Sequence, residues 1–495
     1  MIELDTIPQA TISKAALIEQ LSLIIPANDI LFEAEDLRPY ECDGLSAYRA
    51  LPMLVVIPNN IEEIQAIVKL CQQYSVPIIA RGAGTGLSGG TFPFDTALVL
   101  NMAKLNRILN IDSLSATARV EPGVRNLAIS EAVFDLGLYY APDPSSQVAC
   151  TIGGNVAENS GGIHCLKYGL TVHNIIELKI VLYDGTLVTV GSEAYDSPGY
   201  DLLALLTGSE GLLAIIVEVT VKLLTKPEFS CVLLAAFDSV QDSGNAVNQI
   251  ISAGIIPAGL EMMDKLAIKA AEDFIHAGYP TDAQAILLCE LDGTQDEVQD
   301  LTLAVQKILN SHKATQITIS KTEQQRLKLW QGRKSAFPAV GRLAPDYYCM
   351  DGTIPRSQLS QVLTTIQALS KQYNLAVANV FHAGDGNLHP LILYDANIAG
   401  ELEKTEQFGA KILELCIDVG GTITGEHGVG IEKINQMCVQ FNCAELNQFH
   451  AIKYAFDPDN ILNPGKAVPT LHRCAELGSM HVHNGKLKHP ELERF

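Results

Sequence analysis

Between Val76 and Leu100 the chain runs VPIIARGAGTGLSGGTFPFDTALVL, a strand pattern, five glycines from Gly82 to Gly90, and a second strand pattern. Gly84, Gly86 and Gly89 have the G-x-G-x-x-G spacing of a dinucleotide fingerprint. That fingerprint works only where the glycines open into a helix whose N-terminus receives the pyrophosphate. Here Pro93 and then a β-branched, apolar run follow, with no helical period. A Rossmann unit is therefore excluded, and the Walker A pattern is absent. Glycines can still turn successive N–H groups toward one anion without a helix. A bare turn accounts for the same residues equally well at this point.

Two further segments favour a ligand. PDPSSQVACTIGGNVAENSGGIHCLKYGLTVHNI, Pro142 to Ile175, is rich in small residues, carries little charge and is long for a loop. Long ordered loops are commonly functional. TGSEGLLAIIVEV, Thr207 to Val219, adds another small-residue stretch able to line an extended molecule.

The net charge of −22 argues against nucleic acid, whose phosphates need clustered Lys and Arg. No apolar stretch approaches the ~20 residues of a membrane span, and the N-terminus lacks a signal-peptide pattern. The eleven cysteines are scattered, which suggests buried free thiols in a reducing cytoplasm. The closest pair, Cys438 and Cys443, has no second pair nearby, so an iron–sulfur cluster or structural zinc is not expected.

Helical spacing is expected over Ile12–Ile25, stopped by Pro26, and after Asn59 or Asn60, a natural cap for IEEIQAIVKLCQQY. Asp184-Gly185 marks a hairpin inside IIELKIVLYDGTLVTVG. Beyond Pro227, strands such as CVLLAAF and AILLCEL alternate with longer helices. That rhythm predicts an antiparallel sheet with helices on one face.

VANVFHAGDGNLHPLILYD, Val377 to Asp395, places two histidines about an Asp385-Gly386 turn. A two-residue hairpin there pairs His382 with His389, with Cβ atoms roughly 5 Å apart on one face. Two imidazoles so held can share a metal ion, and a cross-strand polar pair is the plainer alternative. Glu426 and His427, in a glycine-flanked loop, offer a third ligand and a proton-transfer group. Alternatively, Glu426 complements a helix dipole and His427 is a surface residue. Trp330, Arg333, Lys334 and Arg342 cluster in a chain otherwise poor in cations. Arginine suits a carboxylate, whereas Lys334 is expected on a solvated helix face.

The glycine blocks resemble the FAD-binding domain of the vanillyl-alcohol oxidase / p-cresol methylhydroxylase (PCMH) superfamily. The resemblance implies an α+β fold: a two-subdomain PCMH-type FAD-binding domain, an α+β substrate (cap) domain with an antiparallel sheet, and a helical C-terminal segment. Arg81, Gly82, Ala83, Gly84, Thr85, Gly86 and Leu87 would hold the FAD pyrophosphate. Pro142, Ser145, Ser146, Thr151, Gly153, Gly154, Asn159, Gly161, Gly211 and Ile216 would line the rest of the cofactor. The loop has no His or Cys, so the FAD is expected to be non-covalent.

DYYCMDGTIPRSQL, FHAGDGNLHPLIL, GEHGVGIEKINQMC and FDPDNILNPGK narrow the resemblance to the D-subunit family of bacterial glycolate oxidases (glycolate dehydrogenases). D-lactate and D-2-hydroxyglutarate dehydrogenases are relatives. The resemblance implies divalent-metal ligands, for zinc or manganese, at His382, His389 and Glu426. It makes His427 the catalytic base, Arg333 the substrate-carboxylate residue and Asn463 a neighbour of the flavin. Domain divisions are expected at 1–37 (helical), 38–227 (FAD), 228–430 (substrate, with the metal) and 431–495 (returning to the FAD domain). Dicarboxylate-using members are expected to carry a lysine near Cys349 and an asparagine near Leu391. Both places are uncharged here, which favours a small 2-hydroxy acid.

The implied reaction is oxidation of glycolate to glyoxylate, or D-lactate to pyruvate, by hydride transfer to flavin N5 with metal-assisted hydroxyl deprotonation. The reduced flavin would pass electrons to a smaller flavin-type subunit and an iron–sulfur subunit, or to a soluble or quinone acceptor. A cytoplasmic site, peripheral to the inner face of a membrane at most, follows from the resemblance, and a homodimer stays open. A metal hydrolase with incidental glycine turns, and a non-catalytic FAD subunit of a larger complex, remain alternatives. The tail HRCAELGSMHVHNGKLKH is expected to be a partly ordered docking segment.

Overall fold

The computed structural model describes residues 7–194, 198–470 and 474. The glycine loop joins two parallel neighbours, Ile78–Arg81 and Leu98–Asn101, in a four-stranded sheet that also holds Leu54–Val56 and Ile30–Leu31. Parallel neighbours are ordinarily joined by a helix. This crossover is irregular instead, as Pro93 and the apolar run after it require. The helix Ile61–Gln73 is capped where expected: the Asn60 side chain accepts from the Glu63 N–H at 2.9 Å. Its buried face, Ile64, Ile67, Val68 and Cys71, packs on this sheet.

A five-stranded antiparallel sheet follows, in the order Ile108–Asp112, Thr117–Val120, Ile215–Lys222, Ile175–Val181, Leu187–Gly191. Its last pair is the hairpin marked by Asp184-Gly185. The stretch from Pro142 to Ile175 is not one loop. It contains the helices Ile152–Glu158 and Cys165–Tyr168. Thr151 caps the first, its hydroxyl accepting from the Gly154 N–H, and Asn159 closes it at φ 54°. Gly153, Gly154 and Asn155 masked this helix in the sequence, because its stability comes from packing rather than propensity.

The third large sheet has eight strands, running Gln316–Ile319, Phe229–Phe237, Ala285–Gly293, Gly259–Asp264, Val377–His382, Asn387–Tyr394 and Asp346–Cys349, with Gly352–Thr353 also paired to the sixth. All its pairings are antiparallel. Helices cover both faces, not one. Val240–Ser252, Gln295–Ser311, Leu359–Tyr373 and Glu401–Asp418 pack on one side. Lys265–Ile275, Glu323–Lys334 and Ala336–Val340 pack on the other. The reason lies in the strands themselves: Asn387–Tyr394 is buried at every position. A strand buried on both faces needs cover on both sides of the sheet, whereas alternation marks a sheet with one wet face.

The chain then returns to the first sheet. Ile78 N–H donates to Ile461 O at 2.7 Å and Asn463 N–H to Ile78 O at 2.8 Å. Ile461 and Leu462 are buried in the core of that sheet. Nine cysteines are free, as expected, but Cys438 and Cys474 form a disulfide with Cα atoms 5.2 Å apart. Their separation of 36 residues gave no sequence signal for the pairing. The tail histidines lie outside the described residues. Among those described, no helix is long and apolar enough to cross a membrane.

Candidate active site

The two histidines flanking Asp385-Gly386 do meet, by a different register from the one expected. His382 pairs with Asn387 and His389 with Val380, so four residues, Ala383 to Gly386, make the turn. The neighbouring strand Gly259–Asp264 explains the slip: Leu260 O accepts the Gly384 N–H at 3.0 Å and holds the turn open. A shift of two residues preserves which face each side chain occupies. The rings therefore still converge, with centroids 5.0 Å apart. Glu426 comes from a distant loop to meet both, its Oε1 lying 3.1 Å from His382 Nε2 and 3.0 Å from His389 Nε2.

Two anchors fix that carboxylate. The Gly161 N–H donates to Glu426 Oε2 at 2.9 Å, and a Cβ at Gly161 would come within 2.6 Å of the same oxygen. Asp351, fully buried, collects the Gly425 and His427 N–H groups at 3.0 and 2.9 Å, the Thr424 hydroxyl at 2.7 Å and the Lys433 ammonium at 3.2 Å. Desolvation opposes its charge, but the Lys433 ammonium beside it helps to hold the carboxyl well below the usual range. The loop carrying Glu426 and His427 is thus tied to the sheet through one anion.

His427 stacks on His389, with ring centroids 4.7 Å apart and planes 7° from parallel. Burial holds its imidazole down to about 4, so it stands neutral with a lone pair available. For His382, desolvation works against a positive charge, but Glu261 and Glu426 overcome it and hold the ring well above its ordinary value. A divalent cation between the same groups would satisfy the field that otherwise retains that proton. Two imidazole nitrogens and one carboxylate oxygen converge, a group that could hold a metal ion, and His382 Nδ1 is held by Glu261 Oε1 at 2.8 Å.

Arg333 ends the helix Glu323–Lys334 and is 1% exposed. Its Nη2 lies 2.6 Å from Glu261 Oε2, but none of its three guanidinium nitrogens has an aligned hydrogen-bond acceptor. A buried fork with unfilled donors suits an incoming carboxylate. Arg333, His382, His389, Glu426 and His427 all line one cavity of about 380 Å³.

The glycine loop lines the same cavity. Gly82, Ala83, Gly84, Thr85, Gly86, Leu87, Ser145, Ser146, Thr151 and Gly154 line it. Arg81, Gly153, Gly211 and Ile216 line an adjoining cavity of about 70 Å³ that shares Gly82, Thr151 and Gly154. A Cβ at position 82 would lie 2.2 Å from the Thr151 hydroxyl, so any larger residue there requires the helix-capping Thr151 side chain to move. Small residues thus leave backbone exposed along this cleft, a wall of the kind that can receive an anion. The remaining expected cofactor residues line neither cavity. The Pro142 carbonyl accepts from Asn126 at 3.1 Å, Asn159 caps its helix, Gly161 holds Glu426, and Asn463 donates to Gly90 O and Glu210 O at 2.9 and 2.7 Å.

Sequence reasoning missed several groups here. Glu261, Asp351 and Glu158 are isolated acids in apolar or small-residue segments, an oddity that was the available signal. Lys334 is not on a solvated face: it reaches Asp143 Oδ2 at 3.2 Å and lines the cavity. Asp143 also holds His164 Nδ1 at 3.0 Å, and Glu290 lies 3.7 Å from His164 Nε2. Desolvation opposes a charge on His164, but Asp143 and Glu290 raise it to about 10. A histidine raised from its ordinary ~6.5 contributes stability that is complete below that pH and is lost as pH climbs through the folded value. The thermal midpoint gap between the parent and His164→Gln is therefore expected to narrow from pH 6.5 to about 10. A gap constant over that range contradicts the pairing.

Two family models match the chain: one described as FAD binding domain over residues 52–191, and FAD linked oxidases, C-terminal domain, over residues 226–467. The chain is 62% identical over 471 residues to glycolate oxidase subunit GlcD of Escherichia coli (strain K12), covering 95% of this chain and 94% of that one. It is 32% identical over 459 residues to D-lactate dehydrogenase of Archaeoglobus fulgidus, covering 92% and 99%. The crystal structure of p-cresol methylhydroxylase with substrate bound superposes with a TM-score of 0.79 at 17% identity, covering 94% of this chain and 99% of that one. At that identity the likeness speaks for the PCMH-type fold alone. By sequence over nearly its whole length, the chain belongs to the FAD-linked oxidases, as a flavin-dependent oxidoreductase of the glycolate oxidase GlcD group.

Proposed function

We propose that the chain oxidises a small 2-hydroxy acid, glycolate to glyoxylate, at the cleft between the glycine loop and the His382–His389–Glu426 centre. The supporting observation is one cavity lined both by that loop and by a buried arginine, a neutral histidine and three converging ligands. FAD along Arg81–Leu87 supplies the two-electron acceptor, and a zinc or manganese ion on His382, His389 and Glu426 supplies a Lewis acid. Arg333 binds the substrate carboxylate through its unfilled N–H groups. His427 takes the 2-hydroxyl proton at an imidazole nitrogen. Its stacking on His389 and the Asp351 tether to its backbone fix the approach of that nitrogen. Phe337 and Pro338 add apolar lining to the cavity and offer no cation to a distal carboxylate. Lys334, the other cation at the cavity, is occupied by Asp143.

The name of the Escherichia coli relative speaks for glycolate and that of the Archaeoglobus fulgidus relative for D-lactate. One methyl group changes pocket discrimination by only ~1–3 kcal/mol, so D-lactate to pyruvate is the second reading. The relative's name as a subunit supports partner subunits, and the partners proposed are electron acceptors: a smaller flavin-type subunit and an iron–sulfur subunit, or a soluble or quinone acceptor. A cytoplasmic site goes with this reading. The test is kcat/KM across glycolate, D-lactate, L-lactate and D-2-hydroxyglutarate with an artificial dye acceptor. Glycolate is expected to lead and the dicarboxylate to fail. A preference for D-2-hydroxyglutarate contradicts the proposal.

A further inference from the structure

The two histidines of the centre are supported differently. His382 Nδ1 has Glu261 Oε1 at 2.8 Å. His389 Nδ1 is buried with no hydrogen-bond partner, and the Asp351 carboxylate stops 3.8 Å away. A ligating histidine normally gives its second N–H to a carboxylate or carbonyl. On this face of the sheet the group beside His389 is a thiol. Cys349 pairs with Leu391, two residues beyond His389 on the same strand, so both side chains project on one face. Ligand atoms of Cys349, His389 and His427 lie within 4.8 Å of one another. Cys349 is 7% exposed and His389 2%.

We propose that Cys349, His389 and His427 form an alternative metal site for thiophilic ions such as Cd²⁺, exclusive of the ion on His382 and Glu426 because the two sites share His389, and that its occupancy stops turnover. One sulfur and two imidazole nitrogens are a softer donor set than His382, His389 and Glu426, and select for such ions. The Cys349 sulfur donates only to its neighbour's carbonyl, Met350 O at 3.4 Å, which leaves its lone pairs available. Binding forms an S–metal bond as the S–H bond breaks, and the proton leaves to solvent. His389 and His427 each give the one lone pair of a neutral imidazole, so His389 leaves the ion it would share with His382 and Glu426, and no electrons are transferred. Inhibition follows because the site engages His427, whose free lone pair the proposed function requires.

The test is a Cd²⁺ titration of the purified, FAD-loaded chain, followed by ultraviolet thiolate-to-cadmium charge-transfer absorption and by initial rate. The parent is expected to gain the band and lose activity together. Cys349→Ser, with Cys349→Ala as a second variant, is expected to lose the band and to need at least tenfold more Cd²⁺ for the same inhibition. Cys443→Ser, which removes the exposed thiol, is expected to keep the band. A band that survives both Cys349 variants, or inhibition unchanged in them, overturns the proposal. The spectroscopic arm needs no turnover, so failure of the glycolate reading leaves it a separate result.

Discussion

His427→Asn is expected to lower the rate of flavin reduction by about 10²–10⁴-fold, the usual contribution of a positioned general base. FAD and metal contents are expected to stay at parental levels. Asparagine keeps the backbone N–H that Asp351 accepts at 2.9 Å, so the loop stays tethered and Glu426 stays in place. What it loses is a nitrogen lone pair able to take a proton. Anaerobic stopped-flow reduction isolates this step from reoxidation. A parental rate removes His427 from proton transfer.

Glu261→Ala is expected to destabilise the fold by about 3–5 kcal/mol, the cost of leaving one partner of a buried ion pair uncompensated. Glu261 and Arg333 are each 1% exposed, and the second Glu261 oxygen holds His382 Nδ1. One carboxylate therefore supports both the arginine and the metal-facing ring. Loss of such outer support lowers metal affinity by about 10–100-fold. Chemical denaturation of the metal-free protein reads the first effect, and metal competition at a denaturant-free equilibrium reads the second. A change in stability below that of an ordinary surface substitution, about 0.5 kcal/mol, contradicts the coupling.

Local chemistry was legible in the sequence, and long-range selection was not. The non-Rossmann glycine loop followed from Pro93 and the strand after Gly90, because both act within a few residues. The convergence of His382 and His389 survived an error of two residues in register, since the alternation of a strand has period two. Asp385-Gly386 did not fix that register, because Leu260 on a third strand captured the turn. CVLLAAF and AILLCEL carried the evidence for a doubly covered sheet in their lack of alternation. Lys334 looked solvated because its partner, Asp143, lies 191 residues away. Glu261 and Asp351 were equally hidden: an acid in an apolar strand announces itself as odd, but its partners come from elsewhere in the chain. The Cys438–Cys474 pair was hidden for the same reason.

The most direct measurement is the visible spectrum of the anaerobic protein mixed with glycolate, before and after a chelator has removed bound metal. The expected result is flavin absorption that bleaches in the metal-loaded protein, persists unbleached after chelation with FAD still bound, and bleaches again when Zn²⁺ or Mn²⁺ is restored. Bleaching at an equal rate in metal-free protein would contradict a role for His382, His389 and Glu426 in activating the substrate.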